Sequence, residues 1–314
     1  MQRAAVIFPG QGSQSVGMGK DVAERSDCAR QIFVRAGDIV GFDMASACFE
    51  GPAERLEQTD IQQPAIFVTS VALWEAYLEA GGSRDRFVWS AGLSLGEYTA
   101  LYAAGAIGFE EALRLVRRRG ELMQAAAMAS ASGMVSLIGA DEETARKVCD
   151  LARGDDVLAP ANYNCPGQIV ISGSKAACGR AVDVAGEVGC RAVELPVAGA
   201  FHSPFMQSAA DGLRPVLADS PFSAPSIPVM ANVDAQPHTQ PDAIRDSLQK
   251  QVTHPVLWQR CIERMIEEGV EEFVEIGPGR VLTGLMRKIN RRFPITNLST
   301  ADALAGVLEK TSAN

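Results

Sequence analysis

The pentapeptide Gly92-Leu93-Ser94-Leu95-Gly96 follows closely on an apolar run, Phe87-Val88-Trp89. Gly-x-Ser-x-Gly at the end of a strand is the spacing of a nucleophile elbow. Small residues two before and two after the serine let the chain turn sharply from strand into helix, and the serine Oγ then stands above a sheet. The pentapeptide alone recurs by chance, so its setting carries the weight. A helix-like stretch follows from Glu97 to Ala104. A second glycine loop, Gly10-Gln11-Gly12-Ser13-Gln14, follows the strand-like run Ala4-Ala5-Val6-Ile7-Phe8. An elbow requires a sheet with helices packed on it, so an α/β fold is expected.

The wider pattern points the same way. Strand-like runs at 3–8, 87–91, 228–232 and 272–276 alternate with helix-like stretches at 16–35, 44–58, 63–80, 110–128, 204–218, 241–252, 256–268 and 281–290. Such alternation predicts a largely parallel sheet. The middle differs. It reads as strand 133–139, helix 141–153, strands 157–163 and 168–172, helix 175–188 and strand 190–196. Asn164-Cys165-Pro166-Gly167 places Pro and Gly where a type II turn needs them. The order β-α-β-β-α-β is ferredoxin-like. Residues 131–196 are therefore expected to form a small domain inserted into a larger one built from 1–130 and 197–314. The cleft between the two is the natural place for a site.

The 314 residues are 47% apolar and 21% charged, enough for a chain of this size to bury roughly three quarters of its unfolded surface. A net charge of −9 argues against a nucleic-acid partner. No uncharged apolar run approaches about 18 residues, so no membrane span is expected. The start of the chain has no signal-peptide pattern, and a cytosolic protein is expected. Seven cysteines (28, 48, 149, 165, 178, 190 and 261) are scattered, with no Cys-x-x-Cys and no zinc-like spacing. They read as reduced, mostly buried thiols, and no metal site is expected.

A serine nucleophile needs a base, and the chain offers three histidines. His238 lies in a polar loop and reads as solvated. His254 precedes Pro255 and reads as a cap or a packing residue. His202 lies where the small domain returns to the large one, just before a helix, and is the best candidate. The acids between Ser94 and His202, Glu97 among them, read as helix-surface residues. None stands at a strand end, so a Ser–His dyad oriented by a carbonyl is as plausible as a triad.

On the helix at 110–126, Arg119 falls in the apolar stripe of Ala112, Leu115, Val116, Met123 and Ala126, while Arg117 faces Glu121 on the solvent side. A buried guanidinium needs an anion. That anion is either an internal carboxylate or a substrate carboxylate held by the guanidinium fork, and periodicity alone does not choose. The Gly10-Gln11-Gly12 loop has neither a dinucleotide-binding register nor a Walker lysine. It reads as a tight loop that brings backbone N–H groups toward an oxyanion.

Further segments complete the set: Phe8-Pro9-Gly10-Gln11-Gly12-Ser13-Gln14, Gly51-Pro52-Ala53-Glu54, Gln63-Pro64-Ala65, the elbow with Glu97-Tyr98, Arg119-Gly120, Asn162-Tyr163-Asn164 with Pro166-Gly167-Gln168, Phe201-His202-Ser203, Gln251 with Pro255-Val256 and Trp258, and Glu275-Ile276-Gly277-Pro278-Gly279. In this order they resemble the malonyl-CoA:acyl carrier protein transacylases of fatty acid synthesis over nearly the whole chain.

The resemblance implies an α/β-hydrolase-like domain with a ferredoxin-like insertion. It implies Ser94 as nucleophile, His202 as base and then acid, and Arg119 on the free carboxylate of the malonyl group. The N–H groups of Gln11 and Leu95 would form the oxyanion hole. Gln251 would orient His202, mainly through its main chain, Phe201 would crowd a 2-methyl branch, and Asn162 would contact substrate. It also implies a ping-pong exchange between malonyl-CoA and acyl carrier protein, no cofactor of the enzyme's own (the phosphopantetheine belongs to the partner), and a monomer. Service to a polyketide assembly line, or hydrolysis of acyl thioesters, are the alternatives. One departure stands out: the family usually has His before the serine, and this chain has Leu93. Arg287, Lys288, Arg291 and Arg292 close the helix after Gly279. They serve either to balance its dipole or to dock an acidic carrier protein.

Overall fold

The computed structural model describes residues 3–312; residues 1–2 and 313–314, the ends of the expected large domain, lie outside it. Ten strands are present among the described residues: β1 (Ala4–Phe8), β2 (Phe87–Gly92), β3 (Ser132–Ile138), β4 (Leu158–Cys165), β5 (Gln168–Ser174), β6 (Arg191–Glu194), β7 (Val229–Met230), β8 (Pro237–His238), β9 (Glu272–Ile276) and β10 (Ile295–Leu298). They form two sheets, ordered β10-β9-β1-β2-β7-β8 and β4-β5-β3-β6.

The first sheet is parallel except for the β7–β8 pair. Its central strand β1 is buried throughout, as expected where helices cover both faces. Successive side chains point to opposite faces. Ala4, Val6 and Phe8 join a core built largely with the helices Asp27–Val40, Thr59–Glu79 and Phe109–Met128. Ala5 and Ile7 join a second core, with the helices Trp258–Glu267 and Val281–Ile289.

The second sheet is antiparallel, and its order is that of a ferredoxin-like unit. On one face Val135, Leu137, Ile169 and Ile171 pack against the helices Glu142–Arg153 and Lys175–Ala185. On the other face Met134 and Val170 join the large core. The small sheet is thereby pressed against the large unit. The β4–β5 turn has Gly167 at φ 74°, the left-handed conformation that the Pro-Gly pair predicts.

Several boundaries differ from the sequence reading. The helix read at 16–35 is two, Lys20–Arg25 and Asp27–Val40, because Ser26 turns extended and caps the second by accepting from the Ala29 N–H. The stretch 44–58 is also two, Met44–Phe49 and Ala53–Leu56, split where Gly51 takes φ 80° and Pro52 has no N–H to donate. The 63–80 helix starts earlier, at Thr59. Strands β8 and β10 and the helix Ala301–Ser312 were not anticipated; the two strands are short edge pieces with little periodicity of their own.

Candidate active site

The elbow forms as the glycine spacing requires. β2 ends at Gly92, Ser94 sits at φ 53°, and the helix Gly96–Ala103 begins two residues later. A non-glycine residue at positive φ is strained and persists only where its surroundings hold it. Here the loop after β7 does so. The Ser94 N–H donates to Asn232 Oδ1 at 2.6 Å, and Asn232 Nδ2 donates to the Gly92 carbonyl at 2.8 Å.

His202 follows the small sheet and precedes the short helix Pro204–Met206. It is also at positive φ, 56°. Its Nδ1 lies 2.7 Å from the Gln251 carbonyl, and its Nε2 lies 2.9 Å from Ser94 Oγ. A carbonyl only accepts, so Nδ1 carries the proton and Nε2 is free to accept from the serine. Gln251 is the last residue of the helix Pro241–Gln251, where carbonyls lack helical partners. The orienting group is therefore a carbonyl, one of the two arrangements the sequence left open. Burial, then the nearby Arg119 charge, push His202 down to about 4, so the imidazole is neutral at pH 7.

Arg119 is wholly buried. Nη1 donates to Gln63 Oε1 at 2.6 Å; Nη2 donates to Ser94 Oγ at 3.0 Å and to Gln251 Oε1 at 2.9 Å. Its Cζ lies 5.3 Å from the Tyr98 ring centroid, and its Nε has no partner among the described residues. All its acceptors are neutral, so no internal carboxylate pairs with it directly. Burial lowers its pKa. Gly120 lets the Arg119 helix approach the start of the helix Thr59–Glu79; a Cβ there would sit 2.9 Å from the Thr59 carbonyl oxygen. That close approach brings Gln63 to the guanidinium. Arg117 pairs with Glu121 on the helix surface, as expected.

Ser94 and His202 open onto a cleft of about 200 Å³ between the two sheets. Gln11, Leu93, Asn162, Phe201, Val281 and Leu285 are among its walls. Leu95, the residue after Ser94, is fully buried. Among the described residues the backbone N–H groups of Gln11 and Leu95 have no acceptor, and the Gln11 side chain donates to Gln62 Oε1 at 2.5 Å. A larger groove of about 770 Å³ runs along β4 and beside Arg260, and holds none of these groups.

Known proteins match nearly the whole chain. An acyl transferase domain model matches residues 6–312. The malonyl CoA-acyl carrier protein transacylase of Escherichia coli (strain K12) is 42% identical over 310 residues, covering 98% of this chain and 100% of that protein. The chain belongs to this acyl transferase family. The enzyme of the same name from Bacillus subtilis (strain 168) is 41% identical over 306 residues, covering 97% of this chain and 96% of that protein. The transacylase structure from Coxiella burnetii superposes with a TM-score of 0.95 at 37% identity, with 98% of each chain covered. A malonyl-transacylase solved in complex with its type II PKS acyl-carrier protein gives 0.95 at 40% identity, covering 98% of this chain and 100% of that one.

Two sequence expectations fail. His238 is not solvated: it is buried, with Nε2 at 2.6 Å from Glu97 Oε1. Glu97 is not on a helix surface: it is fully buried and also accepts from the Asn232 N–H and from Gln251 Nε2. Both errors arise because a polar side chain in a loop or in the first turn of a helix carries no local mark of the partner that buries it. Asn232, Gln62 and Gln63 went unassigned for the same reason. His254 is exposed and caps its helix, its Nδ1 2.9 Å from the Lys250 carbonyl. All seven cysteines are free and six are buried, and burial raises their thiol pKa values. No helix among the described residues is long and apolar enough to cross a membrane.

Proposed function

We propose that this enzyme moves the malonyl group from malonyl-CoA to the phosphopantetheine thiol of an acyl carrier protein, through a Ser94 ester, supplying fatty acid synthesis from the cytoplasm without a cofactor of its own. The observation that carries the reading is a buried, carboxylate-free Arg119 whose Nη2 is 3.0 Å from the nucleophile. It puts a positive fork where the free carboxylate of an acyl group would lie, which a general thioester hydrolase does not need. The names of the relatives support the same substrate and acceptor.

The Ser94–His202 contact supports the following course. His202 Nε2 takes the Ser94 proton as Oγ attacks the thioester carbonyl. The N–H groups of Gln11 and Leu95 donate to the oxyanion that forms. On collapse the C–S bond breaks, and CoA leaves as a thiol with the proton from His202. The carrier's pantetheine thiol then gives its proton to His202 and attacks the ester, and Ser94 Oγ leaves and recovers that proton. Arg119 holds the malonyl carboxylate through both halves. Phe201 bounds the acyl space and Asn162 the side of the small sheet, while Leu93 adds an alkyl wall. Selection against one extra methyl there is limited to roughly 1–3 kcal/mol.

Intact-protein mass after mixing with malonyl-CoA tests the reading. Wild type should gain one malonyl group that a phosphopantetheinylated carrier discharges, and Ser94→Ala should gain none. An adduct lost to water as fast as to the carrier would favour the hydrolase. The pH profile is a second check. His202 must be neutral to accept the proton, so acylation should stay on its plateau as pH falls and drop only near about 4. A midpoint at the ordinary imidazole value, about 6.5, would show that burial and Arg119 do not act on it.

A basic cluster close to the cleft supports docking of an acidic carrier protein there. Arg287, Lys288, Arg291 and Arg292 are exposed at the end of the helix whose Val281 and Leu285 line the cleft, and Lys288 Nζ reaches Gln168 Oε1 at 3.4 Å. Arg291→Glu with Arg292→Glu should raise KM for carrier protein and leave the acylation half-reaction with malonyl-CoA unchanged. An unaltered carrier KM would assign these residues to dipole compensation alone.

A further inference from the structure

Glu97 lies three residues after the nucleophile and is completely buried. A carboxylate there must be satisfied by donors, and three reach it. His238 Nε2 is 2.6 Å from Oε1; the Asn232 N–H and Gln251 Nε2 are 3.0 and 2.8 Å from Oε2. Two of these donors belong to residues that touch the reacting groups. Asn232 Oδ1 holds the Ser94 N–H. Gln251 holds Arg119 with its side-chain oxygen and His202 with its main-chain oxygen.

The Gln251 amide is polar at both ends and could sit in either of two orientations. In the observed one Nε2 faces Glu97 and the Ser94 carbonyl, and Oε1 faces Arg119. Flipped, its oxygen would face the Glu97 carboxylate and the Ser94 carbonyl, both acceptors, and its NH₂ would face the guanidinium, a donor. Both contacts would be repulsive. Glu97 thus dictates the amide orientation, and the amide in turn gives Arg119 an acceptor that fixes Nη2 beside Ser94. His238 fixes the opposite carboxylate oxygen.

We propose that Glu97 is a positioning residue for acyl transfer: held by His238, it orients Gln251 and through it sets both the base His202 and the acyl-carboxylate site at Arg119. The proposal rests on the roles of Ser94, His202 and Arg119 given above. It separates position from charge, and two conservative variants divide these. Glu97→Asp keeps the charge but withdraws the carboxylate by one methylene. Glu97→Gln removes the charge but can place its oxygen toward Gln251 and Asn232 and its NH₂ toward His238, whose ring then accepts.

Active sites are counted by titration with a serine-directed fluorophosphonate, and the acylation rates with malonyl-CoA and acetyl-CoA are compared per site. In Glu97→Asp the malonyl-to-acetyl ratio and the fluorophosphonate labelling rate should each fall about 10- to 100-fold, the scale of a displacement of about 1 Å. In Glu97→Gln both should stay within about threefold of wild type, since the hydrogen-bond pattern is kept. A residue that only supports the fold would lower the melting temperature and the number of active sites and leave the per-site ratio alone. An unchanged ratio in Glu97→Asp, or an equal loss in both variants, would overturn the proposal. A wild-type enzyme with no malonyl preference would sink the reading of Arg119 first, and this proposal with it.

Discussion

Arg119→Ala is expected to lower kcat/KM for malonyl-CoA by about 10²- to 10³-fold, the cost of removing one partner of a buried charged pair. Acetyl transfer should fall far less, because an acetyl group offers the guanidinium no carboxylate. The free enzyme keeps the charge desolvated against two amides, a hydroxyl and the Tyr98 ring, with no carboxylate in contact. A malonyl carboxylate would supply the missing counter-charge, so binding energy is concentrated on the acids the enzyme should choose. The same substitution has a second signature. Arg119 helps to depress His202, so its loss should raise the His202 pKa and move the acid limb of acylation to higher pH. Arg119→Lys should recover part of the charge effect and little of the selectivity, since an ammonium lacks the planar fork. Equal losses for malonyl and acetyl would remove Arg119 from its assigned role. Per-site acylation rates for the two thioesters across pH decide it.

Gly92→Ala is expected to destabilise the protein by roughly 3–5 kcal/mol, at the upper end of single substitutions. A Cβ at residue 92 would lie 1.9 Å from both the carbonyl carbon and the carbonyl oxygen of Gly96, and 2.4 Å from the Glu97 nitrogen. These are backbone atoms in the first turn of a helix, so no side chain can move aside to relieve the clash. Relief would require opening the elbow, and that would shift Ser94 from His202. Denaturant melts should show the loss of stability, and the folded fraction should label slowly with a fluorophosphonate. A variant within about 1 kcal/mol of wild type would mean that the elbow is far softer than its packing indicates.

How much of this was legible in the chain varies with the range of the interaction. Strand-helix alternation, the glycine spacing of the elbow, the Pro-Gly turn and the buried stripe of the Arg119 helix all survive in the structure, because each is a local pattern. The β-α-β-β-α-β reading of the middle likewise matches the observed strand order. Boundaries failed where a single cap or a Gly-Pro pair cut a continuous apolar pattern, at Ser26 and at Gly51-Pro52. Glu97 and His238 failed for another reason. The two are 141 residues apart, and each read as polar surface until the fold placed them together.

Sequence by itself determined that a serine would stand on a strand-to-helix turn, that an arginine would face inward, and that few histidines were free to serve as base. Those facts follow from spacing, periodicity and a small count. Only the tertiary structure decided what completes the site. The group that orients His202 is a main-chain carbonyl, a chemistry every residue carries, so no side-chain pattern can announce it. The neutrality of the Arg119 surroundings and the hub at Glu97 depend on which distant amides arrive beside them. Charge balance in a buried site is a property of the assembled fold, because burial is what makes an unpaired charge costly.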